Sequence, residues 1–250
     1  MHHGVLIALG GLAIGASLGV LGGGGTILTL PLLLALGVEA KQAIASSLAV
    51  VSATACVAAA RHSRAGNVDW RAAGLFGPAT AVGGFVAGQA AGRIPAEVLL
   101  LVFTALMIVA GVSMLLRRPA AASPSASSPV VLALEGAAIG ALTGLVGAGG
   151  GFLFVPAFAL LAGMPMARAI GTSLVVIAAS ALAALVGHLS HVALRLDVVV
   201  PLTAAAIAGA WLGARFAGRA SETLLRRGFG SFILAVAAWM LARSPYLRGL

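Results

Sequence analysis

Two glycine-rich interruptions of apolar sequence are the first features that suggest chemistry. GVLGGGGTILTLP, Gly19–Pro31, is matched 125 positions later by GLVGAGGGFLFVP, Gly144–Pro156. Glycine permits the bent or left-handed backbone at which a helix breaks and restarts. The first N–H groups of a restarted helix have no partner within it and carry the positive end of its dipole, so they can hold an anion without a lysine. The predicted anion-contacting residues are Gly23, Gly24, Gly25, Thr26, Gly149, Gly150 and Gly151.

Paired hydroxyl groups follow each interruption at matching positions. The motif AIASSL contains Ser46 and Ser47, and the motif AIGTSL contains Thr172 and Ser173, one to two turns inside the next apolar segment. Such hydroxyls can donate to an oxyanion, so we include all four among the predicted anion-binding residues. They can equally bond back to a carbonyl of their own helix. The sequence leaves both interpretations open.

Two histidines, His62 and His188, also match each other, near the ends of the same two segments. An imidazole titrates near neutral pH, so both are candidates for proton coupling. A histidine at the membrane interface with satisfied hydrogen bonds is the favoured alternative. No Lys, Arg, Asp or Glu lies deep in an apolar segment, and Cys56 is the one cysteine. We therefore predict no catalytic residue, no metal site and no cofactor.

Glycines also serve simply to let helices approach one another, and this alternative applies to both clusters. It is weaker there, because packing glycines rarely come as a duplicated run of three or four. It is the better interpretation for Gly84, Gly88 and Gly92, and for Gly209 and Gly213, which are spaced by four residues. We predict close helix packing at these positions.

The elements that must position these residues are membrane helices. The chain has 250 residues, of which 61% are hydrophobic and 8% are charged, whereas soluble domains carry about 25% charged residues. Apolar runs long enough to cross a bilayer recur along it. The net charge of +9 comes from arginines at the ends of these runs, which is typical of topology signals rather than of a nucleic-acid surface. The predicted fold class is an all-α polytopic membrane protein.

The duplicated motifs divide the chain into two homologous repeats. We predict a first membrane repeat over 1–118, an exposed linker rich in Pro, Ser and Ala over 119–129, and a second repeat over 130–250. Each repeat begins with a glycine-broken stretch, 5–36 or 131–161, and continues with three apolar helices. The predicted helices are 41–60, 71–91, 95–116, 168–187, 198–217 and 221–241.

The path of the broken stretch determines the topology. If it crosses the membrane once, the repeats are parallel, and the 15 Lys and Arg residues divide eight against seven between the two sides. If it enters, breaks and returns, the repeats are inverted and the same charges divide ten against five. Because membrane proteins concentrate positive charge on one side, we favour inverted repeats, each with a re-entrant broken helix and about three transmembrane helices.

Together these motifs resemble the TauE/SafE family of membrane permeases, also called the TSUP or sulfite exporter family. The resemblance rests on the glycine cluster ending in proline, the A-x-x-S-L helix, the loop RHSRAGNVDW with its Gly/Ala helix, and their duplication, and it covers essentially the whole chain. In the second repeat the loop becomes GHLSHVALRLDV, which lacks counterparts of Arg64, Asn67 and Trp70. This difference argues against two equivalent loop sites.

The resemblance implies transport of small sulfur-containing anions, such as sulfite, sulfoacetate or other organosulfonates, across the bacterial cytoplasmic (inner) membrane. We expect a multi-pass secondary transporter and not an enzyme, with the anion held near the midplane and alternating access between the repeats. The expected partners are a small anion and membrane lipid, with a homodimer left open and no nucleic acid. The alternatives are an anion channel, or a membrane factor or enzyme that handles reduced sulfur.

Overall fold

The computed structural model describes residues 2–116, 129–146, 151–161, 163–216 and 222–243. Within these residues the regular structure is helical. The first repeat contains α1 His2–Leu21, α2 Gly24–Ala35, α3 Ala40–Arg64, α4 Trp70–Ala91 and α5 Ala96–Leu116. The second contains α6 Pro129–Leu145, α7 Gly151–Pro156 with a π-helical continuation Ala157–Leu161, α8 Met166–His188, α9 Leu196–Phe216 and α10 Glu222–Arg243. The predicted linker, 119–129, lies outside the described residues except for residue 129.

Six of the described helices are long and apolar enough to span a membrane, namely α1, α3, α5, α8, α9 and α10. The segments α2, α6 and α7 are shorter and apolar. The helix α4, of 22 residues, is rich in glycine and alanine, and these small residues let it pack closely between α6 and α8. The prediction of an all-α polytopic membrane protein is confirmed by these spans.

The two repeats interlock, because each contributes helices to the other's packing. A Cβ at Gly15 of α1 would meet the backbone of α9 at Ala206 and Ala210, and one at Gly19 would meet Ala210 and Ala214. Successive contacts move toward the C-terminal end of both helices, so α1 and α9 run in the same direction. Close backbone approach of this kind is what small residues permit in membrane helices.

The equivalent pair, α4 and α6, packs in the same way. Gly83 lies against Ala137, and Gly144 lies against Gly84, while Gly136 lies against Phe76, so these helices are also parallel. On its other side α4 runs parallel to α8, with Gly84 near Ser180 and Gly88 near Ala184.

Within the first repeat, the broken stretch turns back on itself. Gly10 of α1 lies near Leu32 of α2, and Gly25 lies near Ile14 and Leu18, so the two helices are antiparallel. The helices α3 and α4 are antiparallel as well, because a short loop joins their near ends and Lys41 Nζ donates to the Gly92 carbonyl at 2.9 Å between their far ends.

The helices that carry the hydroxyl motifs form the centre of the molecule. In α3 and α8, 72% and 67% of the most apolar window is buried, against 28–39% in the other four spans. The hydroxyls of Ser46, Ser47, Thr172 and Ser173 therefore lie on the two most buried of the six spans.

Candidate functional site

The first helix break occurs at Gly22 and Gly23. Gly22 has φ of +72°, in the left-handed region that side chains disfavour, and its N–H donates to the Leu18 carbonyl at 2.9 Å. The Gly23 N–H turns to the Leu21 carbonyl at 2.8 Å instead of continuing the helix. The glycine cluster thus ends α1 and reverses the chain into α2, as the sequence predicts.

The restarted helix begins without a side-chain cap. Gly23 occupies the N-cap position of α2 and supplies no acceptor, so the N–H groups of the first turn have no partner within the helix. The hydroxyl of Thr26 donates to the Gly23 carbonyl at 2.7 Å, and Thr29 donates to the Gly25 carbonyl at 2.8 Å. The threonines therefore satisfy carbonyl groups, and the first N–H groups of α2 have no hydrogen-bond partner among the described residues.

The starts of α2 and α7 meet. A Cβ at Gly23 would clash with the carbonyl of Gly151 and would lie 2.9 Å from the Phe152 nitrogen. Gly151 also lies against the Thr26 side chain, which occupies the equivalent position of the other repeat. This contact between residues at equivalent positions of the two repeats leaves room for one side chain, which explains why threonine pairs with glycine. Gly149 and Gly150 lie outside the described residues.

Ser173 lies on the face of α8 that contacts Gly22 in the first break and Gly151 at the start of α7. Ile170 packs against Gly22, and Ile177 packs against Gly151, with its Cδ1 at 3.0 Å from a Cβ built there. Residues 170, 173 and 177 have the spacing of one helix face, so Ser173 sits between these contacts. Its side chain is fully buried, and its Oγ has no hydrogen-bond partner among the described residues.

The other predicted hydroxyls have different surroundings. Ser46 Oγ is buried and also has no partner within the described chain. Ser47 donates to the Ile44 carbonyl at 2.9 Å, as the back-bonding alternative predicts. Thr172 Oγ1 accepts from the Asp69 N–H at 2.9 Å. The four hydroxyls thus divide into two without partners, one bonded to its own helix and one that joins the repeats.

The loop between α3 and α4 has a role that the sequence did not reveal. Asp69 caps α4 by accepting from the Ala72 N–H at 3.0 Å, and its own N–H donates to the Thr172 hydroxyl in the other repeat. The carbonyl of Asn67 packs against Gly171 of the same AIGTSL motif. Both motifs, AIGTSL and the single RHSRAGNVDW loop, are visible in the sequence. Their contact could not be predicted, because contacts between distant segments cannot be assigned from one sequence.

The two histidines bind the ends of the broken helices. His62 Nε2 lies 3.0 Å from the Gly19 carbonyl, and His188 Nε2 lies 2.9 Å from the Gly144 carbonyl. The Gly19 carbonyl loses its usual helical donor because the Gly23 N–H turns to Leu21. Both side chains are buried, and Nδ1 of His62 has no partner among the described residues. In this conformation both histidines act as donors that satisfy interrupted backbone.

The buried interior carries no full charge in the part of the chain that the structure describes. Its buried polar residues are serine, threonine and the two histidines, and no group of three His, Cys, Asp or Glu residues is placed to hold a metal ion there. An anion at the meeting of the breaks would therefore be attracted by backbone dipoles and hydroxyl donors alone.

Comparison with known proteins identifies the family. The sequence model described as Sulfite exporter TauE/SafE matches residues 7–240. The chain belongs to the TauE/SafE family. The resemblance inferred from the duplicated glycine and A-x-x-S-L motifs is confirmed.

Relatives of the same length are named as transporters. A probable membrane transporter protein of Xylella fastidiosa is 36% identical over 249 residues, which cover 96% of this chain and 95% of the relative. Proteins of the same description are 25% identical in Haemophilus influenzae, over 96% of this chain and 98% of the relative, and 24% identical in Bacillus subtilis, over 89% and 94%. No solved structure matches the chain. This TauE/SafE protein is a multi-pass membrane transporter, and the names of its relatives fit the expectation that it is not an enzyme.

Proposed function

We propose that this protein is a secondary transporter of small sulfur-containing anions such as sulfite, sulfoacetate or other organosulfonates, in the bacterial cytoplasmic membrane. The anion binds where the starts of α2 and α7 meet. The observation that carries the proposal is Ser173, a fully buried hydroxyl without a partner among the described residues, on the helix face that contacts Gly22 of the first break and Gly151 at the start of α7. An unpaired buried hydroxyl costs about 1–3 kcal/mol, which a bound oxyanion would recover.

The neutral character of this region suits transport. A lysine or arginine at the site would hold an anion strongly and oppose its release, because a full charge is poorly screened in a buried environment. Uncapped N–H groups and a hydroxyl supply several weaker donors to the oxygens of a sulfonate or sulfite. The proposed anion ligands are the first N–H groups of α2 and α7 together with Ser173, with Ser46 as a further donor.

We also propose that the repeats are inverted. The directions of the helices support this: α1 and α3 end together, where His62 reaches Gly19, and α9 runs parallel to α1, whereas α4 is antiparallel to α3. By sequence, α9 is the counterpart of α4, so corresponding helices point in opposite directions. Alternating access would follow from movement of one repeat against the other around the shared site.

The test is transport by purified protein in liposomes. Uptake of sulfite, sulfoacetate, taurine, thiosulfate and sulfate is measured with and without a proton gradient. We expect Ser173→Ala to reduce uptake of the preferred anion at least tenfold while the thermal stability in detergent is unchanged or higher, because an unpaired hydroxyl is removed.

Ser180→Ala is the matched control for that variant. Ser180 is equally buried on the same helix, and its hydroxyl faces the Thr80 carbonyl at 3.5 Å rather than either helix start. Uptake should remain near the wild-type level in this control. Normal transport by the Ser173→Ala variant would place the anion elsewhere.

A further inference from the structure

A basic cavity of about 460 Å³ lies between α3 and α9, away from the helix breaks. Its lining changes in character from one end to the other. Cys56, Val57 and Ala60 form the part within the apolar span, and Arg61, Arg64 and Trp211 form the part at the helix ends. Because the two spans end at Arg64 and Arg215, the arginines lie at the depth at which lipid headgroups meet water.

The positive charge of this cavity is not neutralised by any of the residues that the structure describes. The Arg61 guanidinium lies 5.0 Å from the centre of the Trp211 ring, and the Arg215 guanidinium lies 4.8 Å from the same centre. Cation–π contacts orient these groups but leave their charge intact. In the described part of the chain, no carboxylate forms an ion pair with Arg61, Arg64 or Arg215. Two guanidinium groups thus contact one ring, and Arg64 lines the same cavity, without a counterion from the described residues.

The cavity exists because the repeats differ here. The counterpart of Arg61 in α8 is Gly187, and the counterparts of Trp211 and Arg215 in α4 are Phe85 and Gln89. At that equivalent place the helices are in contact, since a Cβ on Gly187 would lie 2.5 Å from the Phe85 carbonyl and 3.0 Å from the Gln89 nitrogen. Gly187 lets α4 and α8 pack closely, whereas the larger Arg61 leaves a cavity between α3 and α9. The basic cavity therefore belongs to one side of the membrane only.

We propose that this cavity binds the headgroup of an anionic phospholipid, with the phosphate at Arg61 and Arg64 and the start of an acyl chain along Cys56, Val57 and Ala60. Guanidinium groups bind phosphate oxygens through paired hydrogen bonds. The half-exposed Trp211 ring, 47% accessible, has the position of an interfacial aromatic residue. The apolar inner lining favours a lipid over a free anion, because an acyl chain can pack against this lining and a free anion cannot.

The experiment uses Trp211 as a reporter. The chain has three tryptophans, so Trp70→Phe and Trp239→Phe leave Trp211 alone. The protein is placed in phosphatidylcholine vesicles that contain a minor fraction of brominated phosphatidylglycerol, or the same fraction of brominated phosphatidylcholine. We expect at least twofold stronger quenching by the anionic lipid. In Arg61→Gln with Arg64→Gln the two lipids should quench equally, whereas Arg71→Gln, an exposed arginine outside the cavity, should retain the difference.

Equal quenching by the two lipids in the starting protein would overturn the proposal. If the double variant fails to fold, Arg64→Gln alone gives the same comparison, because Arg64 is exposed. A second arm adds inorganic phosphate or sulfite to the protein in neutral detergent. A saturable change in Trp211 emission that the arginine substitutions abolish would identify a soluble-anion site and contradict the lipid assignment. Each outcome is independent of Ser173 and of transport.

Discussion

At the scale of single residues, the four glycines of the first break have different structural roles. Gly22 supplies the left-handed conformation, whereas Gly23 and Gly25 supply space, because a Cβ on them would enter the carbonyls of Gly151 and Ile14. A Cβ on Gly24 would meet side chains of α1, with Leu21 Cδ1 nearest at 3.2 Å. A side chain can adjust by a few tenths of an ångström, but a helix backbone cannot do so without shifting its neighbours.

Alanine substitutions should distinguish these structural roles by their effect on stability. We expect Gly23→Ala and Gly25→Ala to destabilise the protein by about 1–3 kcal/mol or more through overpacking, and Gly24→Ala to cost less than about 1 kcal/mol. Thermal unfolding in detergent, followed by size-exclusion chromatography, measures the difference. Equal stability of all three variants would show that the two helix starts do not meet as described.

The histidines allow a second test at this scale. His62→Ala leaves the Gly19 carbonyl buried without a donor, which should cost about 1–3 kcal/mol. His191→Ala is the control, because His191 is exposed and its loss should cost little.

Proton coupling by His62 and His188 stays a separate prediction, tested with the same variants in liposomes. If His62→Ala keeps its stability but loses the response to a proton gradient, the histidine serves coupling rather than helix capping.

At the scale of elements, much could be predicted because glycine runs and apolar lengths are local signals. The predicted helix 71–91 is observed as Trp70–Ala91, and 168–187 as Met166–His188. Most of the packing glycines were also predicted correctly, since Gly88 and Gly213 lie against the backbones of α8 and α1, whereas Gly92 lies past the end of α4 and meets the His191 side chain. The predicted helix 41–60 is shorter than α3, which continues to Arg64. The polar residues after Ala60 can remain helical because they lie beyond the hydrocarbon layer.

The partners of each element could not be predicted in the same way. Ser47 and Ser173 are equivalent in sequence, yet one bonds to its own helix and the other has no partner among the described residues. The difference depends on which distant segment packs beside each of them. The same holds for Thr172, whose partner Asp69 is 103 positions away. Repeat symmetry predicts where a side chain lies in its own repeat, but not what it faces.

The bond between Thr172 and Asp69 gives a prediction about how the elements are joined. Thr172→Val keeps the shape but removes the acceptor of the Asp69 N–H, so we expect a loss of about 1–3 kcal/mol. Thr172→Ser keeps the hydroxyl and should behave nearly as the wild type. Thermal unfolding of the pair in detergent provides the comparison. If the valine variant is as stable as the serine variant, this bond does not hold the loop to α8.

At the scale of the whole molecule, the repeats meet through equivalent positions at the centre and differ at the edge. At the centre, Thr26 and Gly151 make a compact contact between equivalent positions. At the helix ends, Arg61 and Gly187 make one pair of helices open and the other closed. A transporter with inverted repeats needs the first property so that one site serves both directions. It needs the second to fix its orientation, because the membrane's two sides differ in charge.

Inverted repeats make a prediction that labelling can test. Ala65 and His191 are exposed and equivalent, 126 positions apart, in the loops after α3 and α8. With Cys56→Ser as background, Ala65→Cys and His191→Cys each introduce a single thiol. In intact cells, a membrane-impermeant maleimide should label one variant, and in inverted membrane vesicles it should label the other. A parallel arrangement places both loops on the same side, so that one preparation would label both variants and the other neither. Labelling after detergent treatment establishes that each thiol is reactive, so that protection in either preparation reports the side of the membrane.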